Sequence, residues 1–202
     1  MTIAQLPAAR PAAPPRNMEA AEIAAAEMLT ALGIDLSEDA LAATPGRMAR
    51  ALAEMLTPSE FTLTTFPNDQ RYHHLVIERA IRFRSLCEHH LLPFVGHAHI
   101  AYLPGKRILG LSKLARVVEL HAHRPQVQER LTQQIADYLE KELDCRGVGV
   151  VLDAEHMCMS ARGVRADGAT TVTMALLGAL RDDPALRAEF MTFTTTPGAV
   201  PR

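Results

Sequence analysis

From about residue 80 the hydrophobic rhythm of the chain changes period twice, and no other feature narrows the possible folds as far. "HHLVI" and "IRFRSL" read as short strands, and "HAHIAYL" alternates, with Ala98, Ile100 and Tyr102 on one face and His97, His99 and Ala101 on the other. The period then lengthens. In "LSKLARVVELHAH" Ser112 is expected to cap a helix whose apolar stripe is Leu114, Val117, Val118 and Leu120. Pro125 is expected to start a second helix, with Val127, Leu131, Ile135, Tyr138 and Leu139 at helical spacing. The short period returns in "GVGVVLDAEHMCMS" and "TTVTMALLG", and Asp183-Pro184 opens a last short helix. The resulting order, β-β-α-α-β-β, predicts an α+β unit with an antiparallel sheet and helices packed on one face.

Upstream, "MEAAEIAAAEMLTALG" is Ala- and Glu-rich and closes on Gly33, the pattern of a helix with its stop signal. Thr44-Pro45 marks a second helix, with Thr44 as cap and Met48, Leu52, Met55 and Leu56 as its apolar face. These segments predict a helical subdomain over 17–65, followed by the main domain over 66–193. Residues 1–16 carry Pro7, Pro11, Pro14 and Pro15 and are expected to form a disordered Pro/Ala-rich arm. A flexible tail is expected over 194–202. The net charge of −2 offers no global basic field for nucleic acid or an anionic membrane, so anion binding must come from local clusters. No apolar run approaches a membrane span, and no secretory pattern opens the chain. Cys87, Cys145 and Cys158 are therefore expected to be reduced thiols in a cytoplasm.

Two local patterns point to a metal. Cys87 and His90, in "CEHH", have the C-x₂-H spacing that lets two side chains of a turn meet one ion. In "EHMCM", read as strand, His156 and Cys158 share a face while Met157 and Met159 point into the core. Joining them gives Cys87, His90 and Cys158 as ligands, a borderline-soft set that suits Zn²⁺. Three protein ligands leave a fourth position open, as in catalytic sites. The alternative is a closed structural site with Cys145 as fourth ligand. His89 and His156 remain for acid–base work.

Lys113 and Arg116, three residues apart on the first turn of a helix, suit a phosphate, and Arg162 and Arg165 follow Cys158 closely. Taken alone, each pair also reads as solvated surface charge, and Glu129 in "VQERL" reads as a surface acid. From spacing, the chain is a zinc protein of hydrolytic type, and its substrate has no name.

Three longer stretches carry more. "SLCEHHLLPFVGHAHIAYLPGKRILGLSKLARVVE", "RPQVQERLTQQIADYL" and "GVGVVLDAEHMCMSARGV" resemble GTP cyclohydrolase I, and the likeness runs from about Arg47 to Phe190. The resemblance implies a tunnelling fold and a toroidal homodecamer with active sites at subunit interfaces. It implies hydrolysis of GTP to 7,8-dihydroneopterin triphosphate and formate, the first step of a pterin or folate type of pathway. Cys87, His90 and Cys158 match the family's zinc ligands, and His89 and His156 its catalytic histidines. Glu129 matches the carboxylate that anchors the guanine edge, with Gln128 beside it. Lys113, Arg116 and Arg162 match triphosphate contacts, Ser112 lies with them near the ribose, and Arg47 in "TPGRMA" matches a further basic contact. His97 and His123 stand where Lys or Arg is common in the family, and "FPNDQRYHHL" at 66–75 departs from its pattern.

Overall fold

The structure, a computed structural model, describes residues 4–7 and 15–195. It divides into a helical unit within Ala9–Thr57 and a larger unit that begins again at Pro58. In the helical unit α1 spans Met18–Ala31 and α2 spans Thr44–Met55. Asn17 caps α1 by accepting a bond from the Ala20 amide at 3.0 Å, and Gly33 supplies the left-handed residue (φ 81°) that ends it. Thr44 is not the cap of α2. Ala43 holds that place without a side-chain bond, and Pro45 lies in the first turn, where its missing N–H costs nothing.

Strand β1 is Ala4–Pro7 and β2 is Thr62–Pro67. They pair antiparallel, Ala4 opposite Thr65, so part of the arm expected to lack structure is a strand. An extended segment can satisfy its backbone groups on the free edge of β2, which propensity within the segment does not reveal. The rest of the arm, 1–3 and 8–14, lies outside the described residues. The helical subdomain correspondingly stops at Thr57, short of the expected 65, because β2 belongs to the larger unit.

The main sheet contains β3 (Val76–Cys87), β4 (Pro93–Leu103), β6 (Pro125–Gln126), β7 (Gly147–His156) and β8 (Thr170–Gly178), in the order β6-β3-β4-β7-β8. Its long strands are antiparallel neighbours, while the two-residue β6 runs parallel to β3. The two strands expected around 73–86 are one, bent by a bulge between Glu78 and Ile81 where Ala80 takes φ 56°. β5 (Arg107–Leu109) leaves the main sheet to pair with β2.

Helices α3 (Ser112–Ala122) and α4 (Gln128–Leu143) cover one face. Leu114, Val117, Leu131, Ile135 and Leu139 are fully buried there against Ala98, Ile100, Val150 and Leu152. Each such Leu, Ile or Val contributes about 1.5–3 kcal/mol relative to exposure. Two expected helix starts move. Ser112 is the first helical residue and caps nothing, and Pro125 sits in β6, so α4 opens only at Gln128.

The expectation of helices on one face needs correction. Beyond β8 come α6 (Ala179–Asp182) and α7 (Pro184–Thr195), which reaches into the expected tail. Leu180 and Phe190, both fully buried, pack on the opposite face against Ala101, Leu103 and Val151. Gly149 makes room for them, since a Cβ there would come within 2.7 Å of both side chains. Within this unit the elements from β3 onward run β3, β4, β5, α3, β6, α4, β7, the short α5 (Met157–Ser160), β8, α6 and α7. No described helix is long and apolar enough to cross a membrane.

Candidate metal centre and active site

Cys87 ends β3, and the chain turns back at once. The Cys87 amide donates to Leu92 O at 2.9 Å, and the Leu91 amide, at φ 53°, donates to Cys87 O at 2.8 Å. The Glu88 amide donates to Gln126 O of β6 at 3.0 Å, pinning the turn to the neighbouring strand. This loop carries His90 over Cys87.

Cys158 arrives by a different route from the expected one. β7 ends at His156, and Met157–Ser160 form α5, a single helical turn. Strand pairing stops with Glu155 opposite Thr170 and His156 opposite Phe94. Past that point no neighbour is left to take the backbone bonds, so the chain satisfies them locally, with the Ala161 amide on Met157 O at 3.0 Å. Met157 and Met159 are consequently exposed and do not enter the core.

The ligand atoms of Cys87, His90 and Cys158 all lie within 4.8 Å of one another, and the two sulfurs are 4.0 Å apart. Tetrahedral zinc with Zn–S bonds of about 2.3 Å sets its sulfurs about 3.8 Å apart, so a small closure seats the ion. Two thiols and an imidazole match that ion chemically. Burial and the neighbouring Cys87 push the Cys158 thiol above its usual range, and Arg162 opposes them. Cys145 does not join this group. Its Sγ lies 4.0 Å from Leu139 O, and burial pushes its thiol up to about 11. The closed four-ligand alternative finds no support among the described residues.

His156 stacks flat on Phe94, with centroids 4.6 Å apart and an interplanar angle of 4°. Its Nε2 lies 2.8 Å from Oε1 of Gln128. Gln128 is almost fully buried at the start of α4, and its Nε2 donates to Leu152 O (3.1 Å) and Thr171 O (2.7 Å). Carbonyls only accept, so the amide orientation is fixed, Oε1 faces the ring, and His156 must carry its proton on Nε2. The free ring atom is Nδ1. Burial lowers the His156 pKa, with the Glu129 carboxylate opposing. Gln128, expected beside the substrate, holds His156, Leu152 O and Thr171 O through its amide. Thr132 and Thr173, joined at 2.6 Å, complete this network.

His89 is exposed, with Nδ1 3.9 Å from Cys87 Sγ and Nε2 3.9 Å from Glu88 Oε1. Glu88 in turn pairs with Arg130, which also bonds Gln126 Oε1 (2.9 Å) and Pro125 O (3.0 Å). Glu88, Arg130, Phe94, Thr132 and Thr173 are supporting residues that the sequence reading missed. Glu88 stood in plain view within "CEHH", but nothing local names Arg130 as its partner.

Ser112, Lys113 and Arg116 lie elsewhere. They occupy the first turn of α3, and Arg116 is taken up by Glu119 at 3.0 Å. The other end of α3 is the one at the metal group, since Ser85 Oγ donates to Ala122 O at 2.6 Å. The nine helical steps from Lys113 to Ala122 span about 14 Å. The start of α3 adjoins the far end of β4, where the Leu109 amide donates to the Tyr102 hydroxyl at 2.9 Å. Among the described residues no hydrogen bond or ion pair joins Lys113 or Arg116 to the Cys87 group. Arg47 belongs to the helical unit, on α2, with Nη1 3.5 Å from Ala40 O. Thus the structure gathers Cys87, His89, His90, Glu129, His156, Cys158 and Arg162 at one end of the sheet, away from Lys113 and Arg116 at the start of α3.

Residues 21–195 match the family described as GTP cyclohydrolase I. The GTP cyclohydrolase 1 of Aquifex aeolicus (strain VF5) is 52% identical over 163 residues, which cover 81% of this chain and 89% of that protein. That of Rhodopirellula baltica is 49% identical, covering 84% and 76%. That of Mycobacterium leprae (strain Br4923) is 50% identical over 180 residues, covering 86% and 87%.

Proposed function

Because this chain belongs to the GTP cyclohydrolase I family, a family of hydrolases that convert GTP to dihydroneopterin triphosphate, we propose that it hydrolyses GTP to 7,8-dihydroneopterin triphosphate and formate with the Cys87–His90–Cys158 group holding Zn²⁺. The observation that carries this reading is the convergence of those three ligand atoms beside His89 and His156. A zinc ion so held supplies a Lewis acid and lowers the pKa of water towards about 7. Two thiolates balance its charge and temper that acidity, which makes nearby bases useful.

The protein's own groups divide the remaining work. Purine C8 resists water until N7 is protonated, and His156, locked by Gln128 on one side, offers Nδ1 to move that proton. Glu129 accepts from the adjacent N1–H and N2 amino donors that only guanine presents along that edge. Hydration at C8 opens the five-membered ring to a formamide, and a second water releases formate. Opening of the ribose, rearrangement of its carbons and ring closure with loss of one water complete the balance. His89 and Ser112 serve these later proton transfers. Lys113, Arg116 and Arg162, with Arg47, hold the triphosphate, whose binding energy is remote from the reacting carbon.

A single copy separates the metal group from Lys113 and Arg116, which supports a site completed by a second copy in a homo-oligomer, in our reading a toroidal decamer of the tunnelling fold. The activity is the entry step of a pterin or folate type of pathway, carried out in a cytoplasm that keeps the three cysteines reduced. The test is formate release from GTP by the zinc-loaded protein beside Cys158→Ser. Stoichiometric formate with a pteridine product, lost in the variant, establishes the reaction. Absence of formate from metal-replete, assembled protein rejects it.

A further inference from the structure

Residues 66–73 line two adjoining concavities of the larger unit. Residues 68–73 face the β4–β5 turn and the link from α4 to β7, and together they border an open concavity of about 530 Å³. Arg71, Lys106 and Arg146 line it from three separate segments, with Asp144 as its one carboxylate. None of the three cations makes an ion pair or side-chain hydrogen bond among the described residues. Three cations against one carboxylate leave the concavity with a net positive charge that an anion would balance.

The walls are fixed by backbone contacts. Asn68 Nδ2 donates to Tyr72 O (2.8 Å) and Gly105 O (3.0 Å), and its Oδ1 accepts from the Tyr72 amide (2.8 Å). This tight turn holds Arg71 at φ 52°, a left-handed conformation that a side chain rarely adopts. Gly105 lies directly on the third wall, where a Cβ would come within 2.5 Å of Asp144 O. A second cavity of about 640 Å³ adjoins the first and shares Asn68 and Tyr72 with it. Its lining is mainly apolar, with Phe66, Val76, Ile108 and Leu109, and it ends at Gly110 and Leu111, directly before Ser112.

We infer that the paired cavities form a binding site for a small phosphomonoester. Its phosphate sits among Arg71, Lys106 and Arg146, and its flat apolar body lies across Tyr72 in the neighbouring cavity. Arginine forks and a lysine suit a phosphate dianion, as in other phosphate sites. The place is remote from the metal group. Phe94 pairs with His156 at one end of β4, and Pro104 stands ten residues on, about 33 Å along the strand. Within one copy the phosphate end of the site thus stands apart from Cys87, while its apolar cavity borders the start of α3.

The test uses the whole protein at constant ionic strength, with calorimetric titration of phenyl phosphate and of inorganic phosphate. Lys106→Ala and Arg146→Ala remove exposed, unpaired side chains and should fold normally, which circular dichroism checks. Lys113→Ala/Arg116→Ala silences the cations proposed to hold triphosphate. Phenyl phosphate is expected to bind more tightly than inorganic phosphate. Its Kd is expected to rise roughly tenfold in each of the first two variants and to stay unchanged in the double variant. No measurable binding overturns the proposal. So does binding indifferent to Lys106 and Arg146, binding lost only with Lys113 and Arg116, or equal affinity for the two ligands.

Discussion

Gln128 uses both of its amide functions to hold other groups still, and this sets what its removal should do. Replacing it with Leu leaves His156 Nε2, Leu152 O and Thr171 O without their partner in a buried place. Formate release should fall roughly 10- to 100-fold in kcat, part of the range that a positioned acid–base group contributes. The KM for GTP and the zinc content should change little, and thermal unfolding should come earlier. A raised KM with unchanged kcat would instead make Gln128 a substrate contact. His121 gives a second residue-scale test. Among the described residues neither of its ring nitrogens has a partner, its ring meets Tyr138 edge-on, and burial, helped by Arg124, holds its pKa at about 4. The unfolded chain titrates near 6.5, so between those values the unfolded state binds more protons and stability rises with pH. The neutral ring costs nothing above about pH 6.5, and about 3 kcal/mol is lost as pH falls towards 4. In denaturant titrations from pH 7.5 to 4.5, His121→Phe should show a shallower loss than the wild type. Equal slopes would mean that the ring reaches solvent on protonation.

At the scale of elements, β4 and β7 meet closely beside the site. A Cβ on Gly96 would stand 2.0 Å from Asp153 O and 2.6 Å from Ala154 Cα, both backbone atoms that cannot rotate away. Gly96→Ala should therefore cost several kcal/mol or prevent folding, since the two central strands must part. Urea unfolding measures it, and a change under about 1 kcal/mol would show that the strands have room to shift. The same scale explains what the sequence disclosed. Helices α3 and α4 were legible because their apolar residues repeat at helical spacing over eleven and sixteen residues. The pair Cys87 and His90 was legible because one turn brings both ligands together. The route of Cys158 was misread because β7 stops where its neighbours stop, and pairing is not written in "EHMCM" itself. The bulge at Ala80, the strand at Ala4–Pro7 and the Glu88–Arg130 pair share that cause: each depends on a partner distant in sequence.

For the whole molecule the decisive fact is the gap between the metal group and the start of α3. Lys113 and Arg116 stand at one end of α3 and the metal group at the other, about 14 Å of helix apart, and in our reading the two halves of the site come from different copies. In a ring of identical subunits a neighbour can supply the missing half through a repeated head-to-tail contact. Two variants then fail for different reasons. Cys158→Ser loses the metal half, and Lys113→Ala/Arg116→Ala loses the phosphate half. Co-expressed in equal amounts with different affinity tags and purified through both, they should form mixed rings. A site is whole only when its metal half comes from the Lys113→Ala/Arg116→Ala variant and its phosphate half from Cys158→Ser, so random assembly should restore about a quarter of the wild-type formate release. Each variant alone should show almost none. If the site were closed within one copy, every subunit of the mixed ring would carry one lesion or the other, and activity would remain at the level of the separate variants.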